Sequence, residues 1–564
     1  MSTHERARRP GRDALLFWAV VALAGAVRLL HVYFTGRDNP LAADLQLDAA
    51  TYDRWARALA FGGDTGPTTL MQAPLYPWFV SLVYRLAGPS LAAVRLAQAI
   101  LGTATCGLVM FSARLLFRSR AAAIFAGLFA ALYAPFLFYE GLLLPASLVV
   151  FLNVLFVAVT LSGERPAPAR MLVSGLVLGA AAAANPPTIL LGAFALAHGG
   201  FAGAGRPDGP AESLVGAAQL DAPAESLGGP VGAPAHPGDE GPRRAKRLPA
   251  RRFAAPALAL ALGTAAALAP VTIVNAVKTG EFIPLTAGAG INFYHGNNPG
   301  ANGFYRVPVY KGTSLGGTPE EQAVNMARVA SSESGRELSP PEVSRFWLRV
   351  GFDFIRREPR AWGALLWNKF RFFWNVYERS NVESFSFQRR FPGMLSLPLL
   401  TFGFIAPLGL LGIFLTRARW RGLWLPYGGV LAYLFVALAF YVLARYRLPA
   451  VPFLAMFAGA AVVELYDLAR RRRAAELALA LAALGVLALF CDVPAAKDTP
   501  EGIAAADVRL GRVYLERGDV TNAERAFREA LDRDPSNETA KRGLEMIRGT
   551  RGRARPGGDA HEIR

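Results

Sequence analysis

The chain has 564 residues, 53% of them hydrophobic and only 18% charged, with a formal net charge of +18. Soluble domains carry nearer a quarter charged residues, and the apolar residues here gather in runs of about 18 or more, which excludes an ordinary soluble globular protein. The basic excess falls in short stretches between those runs, the signature of cytoplasmic loops rather than of a nucleic-acid surface, and two distant cysteines, Cys106 and Cys491, offer neither a disulfide framework nor a zinc knuckle.

The N-terminus has the layout of a signal peptide but is read as an uncleaved first span, because many further spans follow. Residues 1–13, with Arg6, Arg8, Arg9 and Arg12, are assigned to the cytoplasm, and span one covers 14–34. Residues 35–72 form the first outer loop. The segment 74–87 is short and broken by prolines, so it is placed in the interface. Spans two to six follow at 90–113, 121–139, 142–161, 171–184 and 187–201, the last two hinged by Asn185-Pro186-Pro187. Residues 202–252, rich in Gly, Ala and Pro and closing on "RRAKRLPARR", read as a disordered cytoplasmic linker with a basic stop. That stop also suits acidic membrane lipids, although a topology signal accounts for it.

Span seven, 253–276, leads to the largest outer region, 277–392. There "AWGALLWNKFRFFWNVYE" mixes Trp, Phe, Lys and Arg as a headgroup-zone helix does, or as a packed scaffold helix does. Spans eight to eleven take 393–415, 423–443, 448–467 and 474–491. The expected fold class is therefore all-α: a polytopic membrane protein of about 11 transmembrane helices with a small helical tail. The membrane regions are 1–201 and 253–491, and the tail is 500–547. In the tail Leu510, Gly511, Tyr514, Gly518, Ala523, Phe527, Ala530 and Pro535 fit one tetratricopeptide repeat. A single repeat cannot bury its face alone, so it is expected to pack on the outer loops or on a protein partner.

Charges at outer span ends carry the chemistry. Asp44, Asp48 and Tyr52 stand four apart on one helical face continued by Trp55 and Leu59, whereas Asp53 and Arg57 form a separate surface pair. Asp48 over that stripe is placed to trade a proton, and it equally suits a helix N-cap. Tyr139-Glu140 ends span three, so a second carboxylate, Glu140, is expected to converge with Asp48. Arg95, and Arg445-Tyr446-Arg447 in "ARYRLP", are candidate anion ligands, because the guanidinium fork matches phosphate. "YHGNNPGANG" supplies His295, Asn297 and Asn298 as partners for sugar hydroxyls, or forms a plain turn.

In order and topology, "LDAATYDRWARAL", "APLYPWFVSLVYRLAG", "AVRLAQAILGTATCGLVMFSARLLF", "GLVLGAAAAANPP" and "RYRLPAVPF" resemble the GT-C glycosyltransferases. The resemblance is to the bacterial family 39-type enzymes related to protein O-mannosyltransferases and to the lipid A aminoarabinose transferase, and it spans roughly 10–200 and 250–470. "GINFYHGNNPGANG" is similar to the outer-loop signature of a subgroup that ends in tetratricopeptide repeats. The resemblance implies a polyprenyl-phosphate-linked sugar as donor, an acceptor of unspecified class (protein, lipid or glycan), and a site on the extracytoplasmic face of a bacterial inner membrane. Asp48 matches the first-loop aspartate taken as general base. Many relatives have Asp-Glu there; this chain has Asp48-Ala49, and Glu140 is the candidate for the second carboxylate. Ala73-Pro74-Leu75 stands where the family has Pro-Pro-Leu.

The leaving phosphate is already charged, so it needs cations rather than an acid. Arg95, Arg445 and Arg447 are assigned to it, Tyr52, Tyr139 and Tyr446 to the substrate, and a divalent metal or other cofactor is dispensable. One base and one attack predict inversion at the anomeric carbon. The rival readings are a lipid or glycan transporter, against which the scarcity of mid-span charge argues, and a non-catalytic envelope scaffold working through the repeat.

Overall fold

The computed structural model describes residues 11–64, 71–163, 167–204, 251–493 and 498–553. Apart from its ends, the linker expected over 202–252 lies outside them. The first half runs α1 (Arg12–Asp38), a 3-10 turn (Pro40–Ala43), α2 (Leu47–Phe61), α3 (Leu75–Ala87), α4 (Leu91–Phe117), α5 (Arg120–Ala131), α6 (Ala134–Gly141), α7 (Ala146–Leu161), α8 (Pro168–Ala184) and α9 (Leu191–Ala204). After the linker come α10 (Arg251–Thr279), α11 (Ala289–Gly296), a hairpin of β1 (Val309–Tyr310) and β2 (Thr313–Ser314), α12 (Pro319–Ser334), α13 (Pro340–Arg357), α14 (Pro359–Trp374) and α15 (Phe385–Gln388). The chain closes with α16 (Phe402–Leu415), α17 (Trp424–Ala439), α18 (Ala444–Arg447), α19 (Val451–Arg470), α20 (Ala474–Asp492) and the tail helices α21 (Pro500–Glu516), α22 (Val520–Arg533) and α23 (Glu538–Arg553).

The fold is all-α and membrane-embedded. Every segment read as a span contains a helix, though the one expected over 393–415 is α-helical only from Phe402. Five helical stretches, Ala14–Asp38, Leu91–Phe117, Ala254–Thr279, Ala444–Arg470 and Ala474–Asp492, are long and apolar enough to cross a membrane. Helices α5, α7, α8, α16 and α17 are equally apolar but shorter. The expected span at 121–139 is in fact two helices. Leu132 and Tyr133 break it, and Tyr133 bridges instead to Leu400 ahead of α16.

Helices α1, α4, α5, α19 and α16 pack side by side, and α7, α8 and α10 extend the bundle from α4. The core is aliphatic and aromatic, with Ala126, Phe156, Phe402, Leu454 and Phe457 inaccessible to solvent. Between α8 and α10 the backbones touch: a Cβ on Gly175 would strike the Leu260 carbonyl, and one on Gly263 the Leu172 carbonyl. Without a hydrophobic drive between helices in lipid, such close approach of small residues supplies the packing energy.

The segment from 280 to 401 sits over one end of the bundle. Its helices start on their own chemistry: Thr318 with Glu321, and Ser339 with Glu342, form capping boxes at α12 and α13. Trp347 is buried against Tyr294, Met326 and Val343. Helix α2 joins this end, with Thr51 donating to Glu320 at 2.9 Å, and α3 backs α2 through an edge-to-face contact of Tyr52 and Tyr76.

The tail helices α21 and α22 fold back on each other about Arg517-Gly518, where Gly518 has φ 75°. Phe527 is buried between them and α23.

Candidate functional site

Helix α2 begins at Leu47, so Asp44 is not on its face as expected; it closes the preceding 3-10 turn. Asp48 does not cap the helix either. The cap position is Gln46, and Asp48 lies in the first turn, where a carboxylate favours the helix N-terminus. Leu47 holds φ 48°, a left-handed conformation that costs a branched side chain about 1–2 kcal/mol. Residues in such regions persist only where their surroundings hold them.

Asp48 opens into a cavity of about 460 Å³. Its Oδ2 pairs with Arg445 Nη1 at 2.6 Å, and Gln72 Nε2 stands 3.5 Å from Oδ1. Among the described residues lining the cavity, Asp48 is the only carboxylate and Arg445 the only Lys or Arg. Tyr52, Tyr305, Tyr441, Tyr446 and His295 are further polar residues of its lining. Apolar residues line it too: Ala146 and Val149 at the start of α7, Ala184 at the end of α8, Pro186 just after it beyond Asn185, and Pro449 before α19. One compartment therefore joins a charged pair to an apolar wall made from the ends of bundle helices.

Arg445 reaches this cavity because α17 stops at Ala439 and the chain runs extended through Tyr441–Leu443 before the single turn of α18. Val442 N donates to Gly303 O at 2.9 Å and Ala444 N to Arg379 O at 2.7 Å, which fixes the turn against the 280–401 segment. The Tyr441 hydroxyl donates to Asn292 Oδ1 at 3.1 Å.

His295 is buried at the end of α11, with neither ring nitrogen bonded to protein. Burial pushes its pKa down to about 4, leaving a neutral imidazole at physiological pH. The folded state thus binds fewer protons than the unfolded chain between pH 6.5 and 4. Stability must fall as pH drops through that window, by roughly 2 kcal/mol at pH 5. Thermal unfolding followed from pH 7.5 to 5 should show this loss, and His295→Gln should flatten the slope.

The remaining expected residues go elsewhere. Glu140 does not converge with Asp48; it is buried in the bundle and pairs with Arg28 of α1 at 3.0 Å, beside a separate small void. The break at Leu132-Tyr133 turns α6 so that Glu140 faces inward, and Gly102 of α4 leaves the space its carboxylate fills. Tyr139 is buried against Phe138 and lines no part of the Asp48 cavity. Arg95 binds backbone, donating to Gly141 O at 2.8 Å and to Ala42 O, so it ties the first loop to α6. Arg447 is likewise structural. It donates to the carbonyls of Phe373, Asn375 and Tyr377, pairs with Glu378 at 3.0 Å, and lies over the Phe402 ring.

Asn297 is held by Phe293 O, Ala439 O, Trp362 and Lys369, and Asn298 folds back on Tyr294 and His295 as a turn. Lys369, in the stretch read either as a headgroup-zone helix or as a packed scaffold helix, is fully buried; it donates to Asn297 Oδ1 at 3.2 Å and Leu438 O at 3.0 Å, and burial lowers its pKa to about 7. Helix α14 is therefore a packed scaffold, although Trp367 remains exposed.

The structure thus gathers Asp48, Tyr52, His295, Arg445 and Tyr446 in one cavity, and adds Gln72, Asn292, Tyr305, Gln322 and Tyr441, which sequence reasoning missed. Asn292 had a local signal, since it stands three residues before His295 on one helix face; Tyr305 and Tyr441 are brought in only by tertiary folding. Among the described residues no group of three or more His, Cys, Asp or Glu is gathered that could hold a metal ion.

Residues 71–203 match the family model described as dolichyl-phosphate-mannose-protein mannosyltransferase, a segment from just before α3 through α9 and less than half of the chain. Curated proteins yield no match. Among solved structures, ArnT from Cupriavidus metallidurans bound to undecaprenyl phosphate is similar at 16% identity and a TM-score of 0.41, over 96% of this chain and 78% of that one. The archaeal oligosaccharyltransferase AglB from Archaeoglobus fulgidus, in complex with an inhibitory peptide and a dolichol-phosphate, is similar at 12% identity and a TM-score of 0.46, over 89% of this chain and 58% of that one.

Proposed function

We propose, on the premise that the chain is a membrane glycosyltransferase of the GT-C type, that it moves a sugar from a polyprenyl-phosphate donor to an acceptor on the extracytoplasmic face of a bacterial inner membrane. The observation that carries this reading is the pairing of one carboxylate with one guanidinium in a cavity that apolar residues from the ends of bundle helices also line. The apolar lining suits a prenyl chain, and the charged pair with its tyrosines suits the phosphate and its sugar.

In the reaction, the acceptor hydroxyl or amine attacks the anomeric carbon, the bond from that carbon to the phosphate oxygen breaks, and the acceptor proton passes to Asp48. The leaving polyprenyl phosphate takes the electron pair, and Arg445 stabilises its charge. As the donor phosphate draws on Arg445, Asp48 is released from the ion pair and becomes free to accept the proton. A single displacement inverts the anomeric centre. The Tyr305–Tyr441–His295 wall offers ring faces and donors to the sugar.

The test is direct. The full chain in lipid nanodiscs is incubated with polyprenyl-phosphate sugars and extracts of envelope acceptors, and released polyprenyl phosphate and glycosylated product are followed by mass spectrometry. Cells lacking the protein should accumulate donor and lose one surface glycan modification. Movement of intact donor across a bilayer, with no cleavage, would replace this reading by transport.

A further inference from the structure

We infer that the C-terminal helices hold the Asp48 loop in its working geometry, with Arg509 of α21 as the positioning residue; this rests on the reading of Asp48 given above. The tail is fastened to the 3-10 turn immediately before α2. Arg509 pairs with the Asp44 carboxylate, donates to the Asp44 carbonyl, and reaches Glu383 Oε1 at 2.5 Å. Arg517 donates to Pro40 O at 2.6 Å. Leu41 is buried among Leu510, Val513, Ala526 and Phe387, so the same turn is also held by apolar packing.

A second set of contacts joins the tail to the segment after α14. Arg390 pairs with the buried Asp507 at 2.7 Å and with Glu529, and Asp498 accepts from Tyr377 at 2.6 Å and Ser384 at 3.0 Å. These bonds attach the tail; only those to Pro40, Leu41 and Asp44 address the catalytic loop.

Between Asp44 and Asp48 the chain has little slack. Gln46 donates to Asp44 Oδ1 at 2.9 Å, and Leu47 is held at φ 48°. A strained residue of this kind relaxes when its neighbours are released. Arg509 fixes one side of Leu47, and the Asp48–Arg445 pair fixes the other. The carboxylate's position therefore depends on a residue some 460 positions away in sequence. Displacement of a catalytic group by about 1 Å is enough to cost about 100-fold in rate.

The experiment uses the full chain in nanodiscs with Arg509→Ala, Arg509→Lys, Asp44→Asn and the double variant Asp44→Asn/Arg509→Ala. Hydrogen exchange of peptides over 39–61 should speed by about 10-fold or more in Arg509→Ala, while peptides of α4 and α19 stay protected. Turnover should fall about 10- to 100-fold with donor KM within about twofold, because Arg445 and the apolar lining residues of α7 and α8 are not altered. Arg509→Lys, which keeps the charge but cannot fork to both carboxylates, should lie between. The double variant should be no worse than the poorer single one. Unchanged exchange over 39–61, or full turnover in Arg509→Ala beside an inactive Asp48→Asn, overturns the positioning role and leaves the proposed function standing. An active Asp48→Asn removes the catalytic reading instead, and exchange then still reports whether Arg509 holds the loop.

Discussion

Asp48→Asn should lower sugar transfer by about 10²–10⁴-fold, as expected for loss of the proposed general base, in a protein that should still insert and remain monodisperse in detergent. The substitution keeps the volume and one hydrogen-bond acceptor for Arg445 but removes the proton acceptor. Truncating one partner of a deeply buried ion pair costs about 3–5 kcal/mol. This pair is only partly buried and faces an open cavity, with side-chain exposures of 12% for Arg445 and 16% for Asp48, so solvent screens much of that cost. Asp48→Glu pushes the carboxylate outward by one methylene and should recover part of the rate. Steady-state transfer, read alongside the thermal unfolding midpoint, checks the assignment. A folded Asp48→Asn protein retaining half the wild-type rate rules out proton transfer to this residue.

The sequence was most legible where a single physical pattern dominates. Long apolar runs must be helices in lipid, because no other open structure satisfies the backbone there, and α1, α4, α10, α19 and α20 fall where those runs predict. Asp48 was legible from its helical spacing with Tyr52 and from the resemblance, and Arg445 because a charge at a span end needs a partner or water. What failed was direction. Glu140 sits at a span end too, but a two-residue break in 121–139 and the missing side chain of Gly102 turn it into the bundle towards Arg28. Nothing local announces that.

Asn297 and Asn298 show the opposite limit: the Asn298 amide is consumed by the backbone of its own turn, the ordinary alternative for asparagine, and the Asn297 amide by Phe293 O, Ala439 O, Trp362 and Lys369. Lys369 lies in an aromatic, amphipathic stretch that reads equally as interfacial or as packed scaffold, and only the fold decides between them, enclosing its amine with Asn297 and the end of α17. The attachment of the tail to residues 40–44 is beyond any local signal, because it joins positions at opposite ends of the chain.

Arg445 and Arg447 separate two effects that the motif "ARYRLP" presents as one. Residues two apart on a helical turn do not share a face. Arg445 points to Asp48 and the cavity, whereas Arg447, 2% exposed, points to three carbonyls, Glu378 and the Phe402 ring. Arg445→Ala should therefore fold and lose donor affinity. Removal of a charge-assisted bond to phosphate is worth about 1.5–3 kcal/mol, or about 10- to 100-fold in Kd for polyprenyl phosphate at about 1.4 kcal/mol per decade. Arg447→Ala should instead lose folded protein. It strands the Glu378 carboxylate and leaves the carbonyls at the end of α14 short of a donor, a cost of about 3–5 kcal/mol for a buried pair. That is a large part of the 5–15 kcal/mol that holds a typical native protein together. Lipid-phosphate binding by Arg445→Ala and the yield and melting temperature of Arg447→Ala measure the two effects separately. Wild-type affinity in Arg445→Ala takes the phosphate away from this part of the cavity. A stable Arg447→Ala that no longer binds donor would exchange the two roles, and with them the face of α18 on which the leaving group is held.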